Sequence, residues 1–291
     1  MDAGRVAVIG IGNMGWAIAE RIAERGFAPV VRDIDPAREK LAVERGFTVA
    51  TSAAEAARGA ANLIVTVVDA AQTEAVLFGA AGAVETLPRD ARVLLCPTIA
   101  PADVEHCAAR LAAQGLSCLD APMSGGPARA RAGTMSLMVA GDGAVVDSRR
   151  GLLDAMASPV FRISERVGDG ARTKLVNNLL AAINLAGAAE ALALAARTGL
   201  DPTATLAVIE RSSGQSWIGS ERLHRALSGD LAPRAHMTLL AKDSRLAVEL
   251  ARQVDAEVAL GAAAMARFAA ACADGLAGAD DASLYAWLSG R

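Results

Sequence analysis

The stretch RVAVIGIGNMG, residues 5–15, decides the fold. Its first half is apolar and β-branched, its second spaces Gly10, Gly12 and Gly15 as G-x-G-x-x-G, and NMGWAIAERIAERG then runs with helical period to a stop at Gly26. Strand, glycine turn and helix in that order are the setting in which a dinucleotide pyrophosphate meets backbone. The first glycine permits the tight turn, the second lets the phosphates approach, and the third lets helix and strand pack closely. The free N–H groups and partial positive charge of the helix start suit an anion. In that setting Gly10, Ile11, Gly12, Asn13, Met14 and Gly15 read as a cofactor loop rather than a structural turn.

The next strand, PVV at 29–31, runs into Arg32 and Asp33. Asp33 stands 18 residues past Gly15, near the place of the acidic residue that meets the ribose hydroxyls of NAD, so NAD is preferred to NADP. Two features pull the other way. The Arg32 guanidinium could take a 2′-phosphate, and Asp33 or Asp35 could simply cap the helix that opens at Pro36.

Farther along, ANLIVTVV (61–68), RVLLCP (92–97) and SCLDAP (117–122) read as strands, and APADVEHCAARLAAQG (100–115) as a helix between two of them. Val68, closing its strand, is counted with the cofactor contacts. MSLMVAG (135–141) and SPVFRI (158–163) extend the sheet beyond six strands. After about residue 164 the β-rich runs cease. Ala171 to Thr198 reads as one helix of about 28 residues, roughly 40 Å long. Helical patterns then follow from Asp201 and Pro202, and over 217–228, 237–253 and 255–274. The expected architecture is α/β: a Rossmann-type dinucleotide-binding domain over 1–164, then a long interdomain helix leading to an all-α domain over 165–291 for substrate and oligomerisation. No repeat and no polar linker interrupts it.

The 291 residues are 53% hydrophobic with a formal net charge of −3, enough for a core and without an electrostatic case for nucleic acid or an anionic membrane. Four cysteines without a CxxC pair and three scattered histidines point to reduced thiols and no metal. The start MDAGRVAVIG has no basic, apolar secretion pattern, so a cytoplasmic protein is expected. The apolar run 175–196 carries Asn177, Asn178, Asn184 and Glu190, which are costly in lipid, so it reads as a buried soluble helix.

Two further stretches carry chemistry. GDGARTKLVNN (168–178) puts Lys174, Asn177 and Asn178 on one helix face at the mouth of that apolar run. DAPMSGGPARARAGTM (120–135) offers Ser124, Gly125 and Gly126 after a strand, where backbone amides and a hydroxyl suit a carboxylate and where open α/β sheets bind ligands.

GIGNMG, DAPMSGG with AGTM, GDGARTKLVNN and AKDSRLA, in this order and spacing, resemble the β-hydroxyacid dehydrogenase family, which includes 3-hydroxyisobutyrate dehydrogenase and tartronate semialdehyde reductase. The resemblance covers essentially the whole chain. It implies that Lys174 is the catalytic acid/base and that Asn178 helps hold the substrate hydroxyl or carboxylate. Ser124, Gly125 and Gly126 then bind the carboxylate of a small substrate, Lys242 closes over cofactor and substrate, and Thr98 touches the nicotinamide side. The chemistry is consistent, because hydride leaves a carbinol carbon only as its hydroxyl proton departs to a base. Partial desolvation near Lys242 would lower a lysine from its ordinary value of about 10.4. The plainer alternatives are a Lys174 that snorkels from a helix end and a Lys242 on a surface helix with Asp243 and Arg245 as solvated charges.

The chain also departs from the family. Members commonly carry Asp and Ser ahead of the threonine in CPTIAP, whereas Leu95 and Pro97 stand here, leaving Thr98 and backbone to make the contact. NADP users often carry arginine just after the second strand, where this chain has Ile34. RSSGQSW (211–217) is similar to the loop of aldonate-oxidising members and also reads as an interhelical turn. The expected activity is NAD-dependent interconversion of a small β-hydroxy acid, of 3-hydroxyisobutyrate, glycerate or aldonate type, with its oxo acid or semialdehyde. An imine reductase on the same scaffold and a non-enzymatic nucleotide-binding protein are the alternatives. A homodimer or homotetramer is expected from the family.

Overall fold

The central strands of this chain are buried on both faces, and their sequences show it. In β1 (Arg5–Ile9) Val6 and Val8 enter one apolar core while Ala7 and Ile9 enter another, the period-2 alternation of a strand covered on two sides. The computed structural model describes residues 4–290, in two compact units, Met1–Lys174 and Leu175–Arg291.

In the first unit β1 is followed by β2 (Ala28–Arg32), β3 (Thr48–Val49), β4 (Asn62–Val65), β5 (Arg92–Leu95), β6 (Ser117–Asp120), β7 (Met123–Ser124), β8 (Ser136–Ala140) and β9 (Val160–Ser164). The sheet order is β3-β2-β1-β4-β5-β6-β8-β7, with β9 on β8. β1 to β6 run parallel, and β8 is antiparallel to β6 and β7. The extension of the sheet through MSLMVAG and SPVFRI is thus observed as β8 and β9. β3 and β7, two residues each, are additions too short for any hydrophobic period to announce.

Helices α1 (Asn13–Glu24), α2 (Pro36–Glu44), α3 (Ala53–Ala57), α4 (Ala70–Phe78), α5 (Pro101–Ala113), α6 (Gly126–Ala132), α7 (Gly143–Ser148) and α8 (Arg150–Met156) connect the strands. The order reverses between β1 and β4, and the carboxyl ends of those two strands flank the crevice where such sheets take ligands.

One helix, α9 (Asp169–Arg197), is 29 residues long and carries the chain from the first unit into the second. There α10 (Pro202–Glu210), α11 (Trp217–Ser228), α12 (Met237–Gln253), α13 (Ala259–Ala271) and α14 (Leu284–Ser289) follow, with a core of Leu185, Ala189, Leu192, Leu223, Met237 and Phe268 among others. By length and composition α9 and the segment Ala259–Leu276 could cross a membrane, yet both supply residues to this core. The start of α10 matches its sequence signal, Asp201 capping through Thr203 N–H with Pro202 first, and α11 fills its expected span with Ser216 as its cap. The helix expected over 255–274 begins four residues later. Ala256 N–H bonds back to Ala251 O to close α12, which puts Asp255 at φ 52° and leaves it outside either helix.

Candidate active site

The glycine loop is stitched between three strand ends. Gly10 N–H donates to Arg32 O at 2.9 Å, and Thr66 Oγ1, just past β4, donates to Gly10 O at 2.7 Å. Gly10 sits at φ +92°, and a Cβ on Gly15 would stand 2.0 Å from Gly10 O, so both glycines are demanded by the turn and by packing. Gly12 differs. It caps α1 without a side-chain bond, and a Cβ built on it would meet no protein atom within 4 Å. An open space over the uncapped first turn of a helix fits a pyrophosphate, and the residues present therefore fit a dinucleotide. Asn13 accepts from Arg38 Nη2 at 3.2 Å.

Past the end of β2 the two aspartates divide their work. Asp35 Oδ1 accepts from Ala37 N–H and is the cap of α2, while Asp33, half-buried at the end of β2, accepts from Asp35 N–H at 2.9 Å. Arg32 is ion-paired with Glu39, which also accepts from Asp33 N–H at 3.4 Å. Ile34 projects into solvent, 81% exposed. Val68 is exposed just beyond β4, and Thr98 is half-buried between the buried Pro97 and Ile99.

The second glycine loop leaves β7, where Ser124 pairs with Ser136. Gly125 has φ +133°, and Gly126 φ +76° with no atom within 4 Å of a built Cβ. Four residues before Ser124, Asp120 ends β6 with its carboxylate buried. Its Oδ2 accepts from the N–H of Gly168 and of Ala171, each at 2.9 Å, so a strand residue caps α9. Burial pushes this carboxyl up to about 6, against the pull of those N–H groups. A Cβ on Gly170 would stand 2.9 Å from the Asp120 carboxyl, which accounts for the second glycine of GDG. Asp169 faces the other way, and its bonds from Arg166 and Ser164 hold it down at about 2.

Lys174 follows one turn after Gly170 and is 7% exposed. A snorkelling lysine leaves its ammonium in water, so that reading of Lys174 is set aside. In the helical unit Asn178 is buried; its Nδ2 donates to Asp243 Oδ2 at 2.6 Å and its Oδ1 accepts from Asn177 at 3.0 Å. Lys242 Nζ lies 2.7 Å from Asp243 Oδ1. The reading of Asp243 as a solvated charge fails, since it is buried and holds both Asn178 and Lys242, whereas Arg245 does pair with Glu249 at the surface. RSSGQSW forms the turn between α10 and α11, with Trp217 opening α11 half exposed. Among the described residues no group of three or more His, Cys, Asp or Glu could hold a metal ion.

Two family models divide the chain between them. Residues 5–165 match the NAD binding domain of 6-phosphogluconate dehydrogenase, and residues 168–288 match the NAD-binding model of NADP-dependent 3-hydroxyisobutyrate dehydrogenase. L-threonate dehydrogenase of Cupriavidus necator is 37% identical over 96% of this chain and 94% of that protein. The chain belongs to the β-hydroxyacid dehydrogenase family. This β-hydroxyacid dehydrogenase is also 35% identical to 3-hydroxyisobutyrate dehydrogenase of Pseudomonas aeruginosa, over 89% of each chain. The crystal structure of 3-hydroxyisobutyrate dehydrogenase from Salmonella typhimurium superposes with a TM-score of 0.91 at 33% identity, over 98% of this chain and 99% of that one. Imine reductases such as that of Myxococcus stipitatus, 19% identical with a TM-score of 0.68, share the fold alone. The dehydrogenase is thus an oxidoreductase that acts on a hydroxy acid with a nicotinamide dinucleotide.

Sequence reasoning missed Thr66, Glu39, Asp120 and Asp243. Of these Asp120 and Asp243 lay inside motifs already singled out, and a carboxylate in an otherwise apolar strand end or helix face was the available signal.

Proposed function

We propose that this enzyme oxidises a small polyhydroxylated acid of the L-threonate type with NAD, ahead of glycerate and 3-hydroxyisobutyrate, and catalyses the reverse reduction. The observation that carries the reading is Lys174, a lysine side chain buried in the first turns of α9 and one turn from Asn178, itself held by Asp243. The bound nicotinamide supplies the hydride acceptor. In oxidation the neutral amine of Lys174 takes the substrate hydroxyl proton and becomes the ammonium as hydride leaves the carbinol carbon, and in reduction the ammonium returns that proton. Ser124 with the backbone of Gly125 and Gly126 takes the carboxylate, Asn178 orients the substrate hydroxyl or carboxylate, and Lys242 adds charge to substrate and cofactor binding. The cofactor contacts are Gly10 to Gly15, Asp33, Val68 and Thr98. The names of the relatives and the similarity of RSSGQSW favour the aldonate class. A carboxylate loop has no use for an uncharged imine. Steady-state rates of NAD reduction over a panel of small hydroxy acids test the reading: L-threonate is expected to give the highest kcat/KM, and a panel in which no hydroxy acid reduces NAD sinks it.

NAD is preferred because Asp33 is free of the capping duty that Asp35 performs and because Glu39 already occupies Arg32. Asp33→Ala is expected to weaken NAD by about tenfold, the worth of one hydrogen bond to a charged group, and NADP far less. Calorimetric titration with both dinucleotides measures this, and an unchanged preference removes Asp33 from the ribose site.

The functional division we propose is a cofactor domain over 1–164 and a helical domain over 165–291 for substrate and association, in a soluble cytoplasmic enzyme without nucleic acid or membrane partners. Val176, Leu180, Gly187, Ala191 and Leu194 form one exposed stripe along α9, which supports a homodimer or homotetramer built on it. Light scattering is expected to show a smaller particle for Leu180→Glu with Leu194→Glu than for the wild type; equal masses remove the stripe from the interface.

A further inference from the structure

Asp120 opens the DAPMSGG motif without standing in its glycine loop, and it ties the strand that leads to that loop to the start of α9. It is the last residue of β6, four positions before Ser124, and it is 1% exposed. Its neighbours on the sheet are Leu95 of β5 and Ala140 of β8, both buried, so the strand end cannot shift without disturbing the core. From there its carboxylate reaches the start of α9, where Oδ2 takes the N–H of Gly168 and Ala171, with Gly170 N–H also directed at it. A carboxylate in this place satisfies backbone donors that the helix itself cannot and complements the positive end of the helix. The fit is close enough that Gly170 admits no Cβ: one would lie 2.9 Å from Asp120 Cγ and 2.9 Å from Met138 O. Lys174 is the residue one turn beyond Gly170 on the same helix face.

We infer that Asp120 is a positioning residue for the reaction, fixing the rise and rotation of the first turn of α9 and through it the place of Lys174 Nζ. The inference rests on the acid/base reading of Lys174. A displacement of about 1 Å in a reacting group costs on the order of a hundredfold in rate, and one strained cap is enough to produce it. The glycines of GDGARTK follow from the same contact: Gly168, at φ +98°, turns its N–H toward the carboxylate, and Gly170 makes room for it.

The test uses the full-length enzyme with NAD and the best hydroxy acid. Asp120→Asn keeps the shape but turns an amide N–H or a weaker acceptor toward the same donors. Its kcat is expected to fall ten- to a hundredfold, with KM for the acid and Kd for NAD held within about twofold. Gly170→Ala, which presses on the same contact from the helix side, is expected to fall alike, and the double variant to fall little further than either. Because Asp120 acts through Lys174, adding Asp120→Asn to Lys174→Ala is expected to lower the residual turnover by less than about twofold. An unchanged kcat in Asp120→Asn, a parallel loss of NAD binding, a multiplicative effect on Lys174→Ala, or failure of both single variants to fold overturns the inference in favour of a purely structural aspartate. Should Lys174→Ala itself retain wild-type turnover, the acid/base reading is the one that fails.

Discussion

Lys174→Ala is expected to lower kcat for the hydroxy acid by roughly a hundred- to ten-thousand-fold while NAD affinity stays within about twofold. The expectation follows from position. Lys174 lies one turn into α9, with the helix start bonded to Asp120, so truncation removes the amine from a place that stays formed. The cofactor loop draws its geometry from Gly10, Gly15, Thr66 and Arg32, none of which depends on Lys174. Stopped-flow hydride transfer with separate calorimetry for NAD distinguishes the two quantities. Turnover equal to the wild type ends the case for Lys174 as acid/base, and lost NAD binding shows that the lysine supports the cofactor instead.

The second and third glycines of the cofactor turn, Gly12 and Gly15, are expected to differ in their response to alanine. In Gly15→Ala the new methyl would stand 2.0 Å from Gly10 O and 2.6 Å from Thr66 Oγ1, so α1 must move off β1. Overpacking of this kind costs about 1–3 kcal/mol or more, and the loop that holds the phosphates is displaced with it. Both Tm and NAD affinity should fall, the latter by about a hundredfold. In Gly12→Ala the methyl meets no protein atom within 4 Å. Tm should stay near the wild type while NAD affinity drops by about tenfold or more, because the methyl occupies the space a phosphate needs. Thermal melts with and without NAD measure both effects. A Gly12→Ala enzyme that binds NAD as well as the wild type places the pyrophosphate elsewhere.

Much of the fold was legible because its punctuation is local. Ser216 and Gly229 bracket α11, and the expected span 217–228 is the observed one. Gly26, Gly115 and Pro202 likewise mark helix ends that the structure keeps. What the sequence concealed is of longer range. Asp33 and Asp35 are chemically identical and two residues apart, so only the direction of Asp35 Oδ1 toward Ala37 N–H separates the cap from the candidate ribose ligand. Asp120 bonds residues 48 and 51 positions away, and Asp243 bonds Asn178 across 65 positions. Propensity and period carry no trace of such pairings, and a charged residue on an amphipathic pattern is solvated more often than buried. Conversely the GDG of the lysine motif is plain in the sequence, but its second glycine is required by the Asp120 carboxyl, which leaves no room for a Cβ at Gly170.

The ends of the sheet have a consequence for how the chain behaves in crowded solution. An open sheet offers its outermost strands to any other extended chain, and long flat edges seed aggregates. Here one edge, β3, is only two residues long. The other, β9, follows Pro159, carries the exposed Arg162, and meets β8 through a register shift at Val139 and Ala140. A stray strand finds too little backbone on one side and a charged, irregular rim on the other. Among the described residues, the short β3 and the irregular β9, with Arg162 beside the exposed Phe161, thus offer little regular backbone for edge-to-edge pairing.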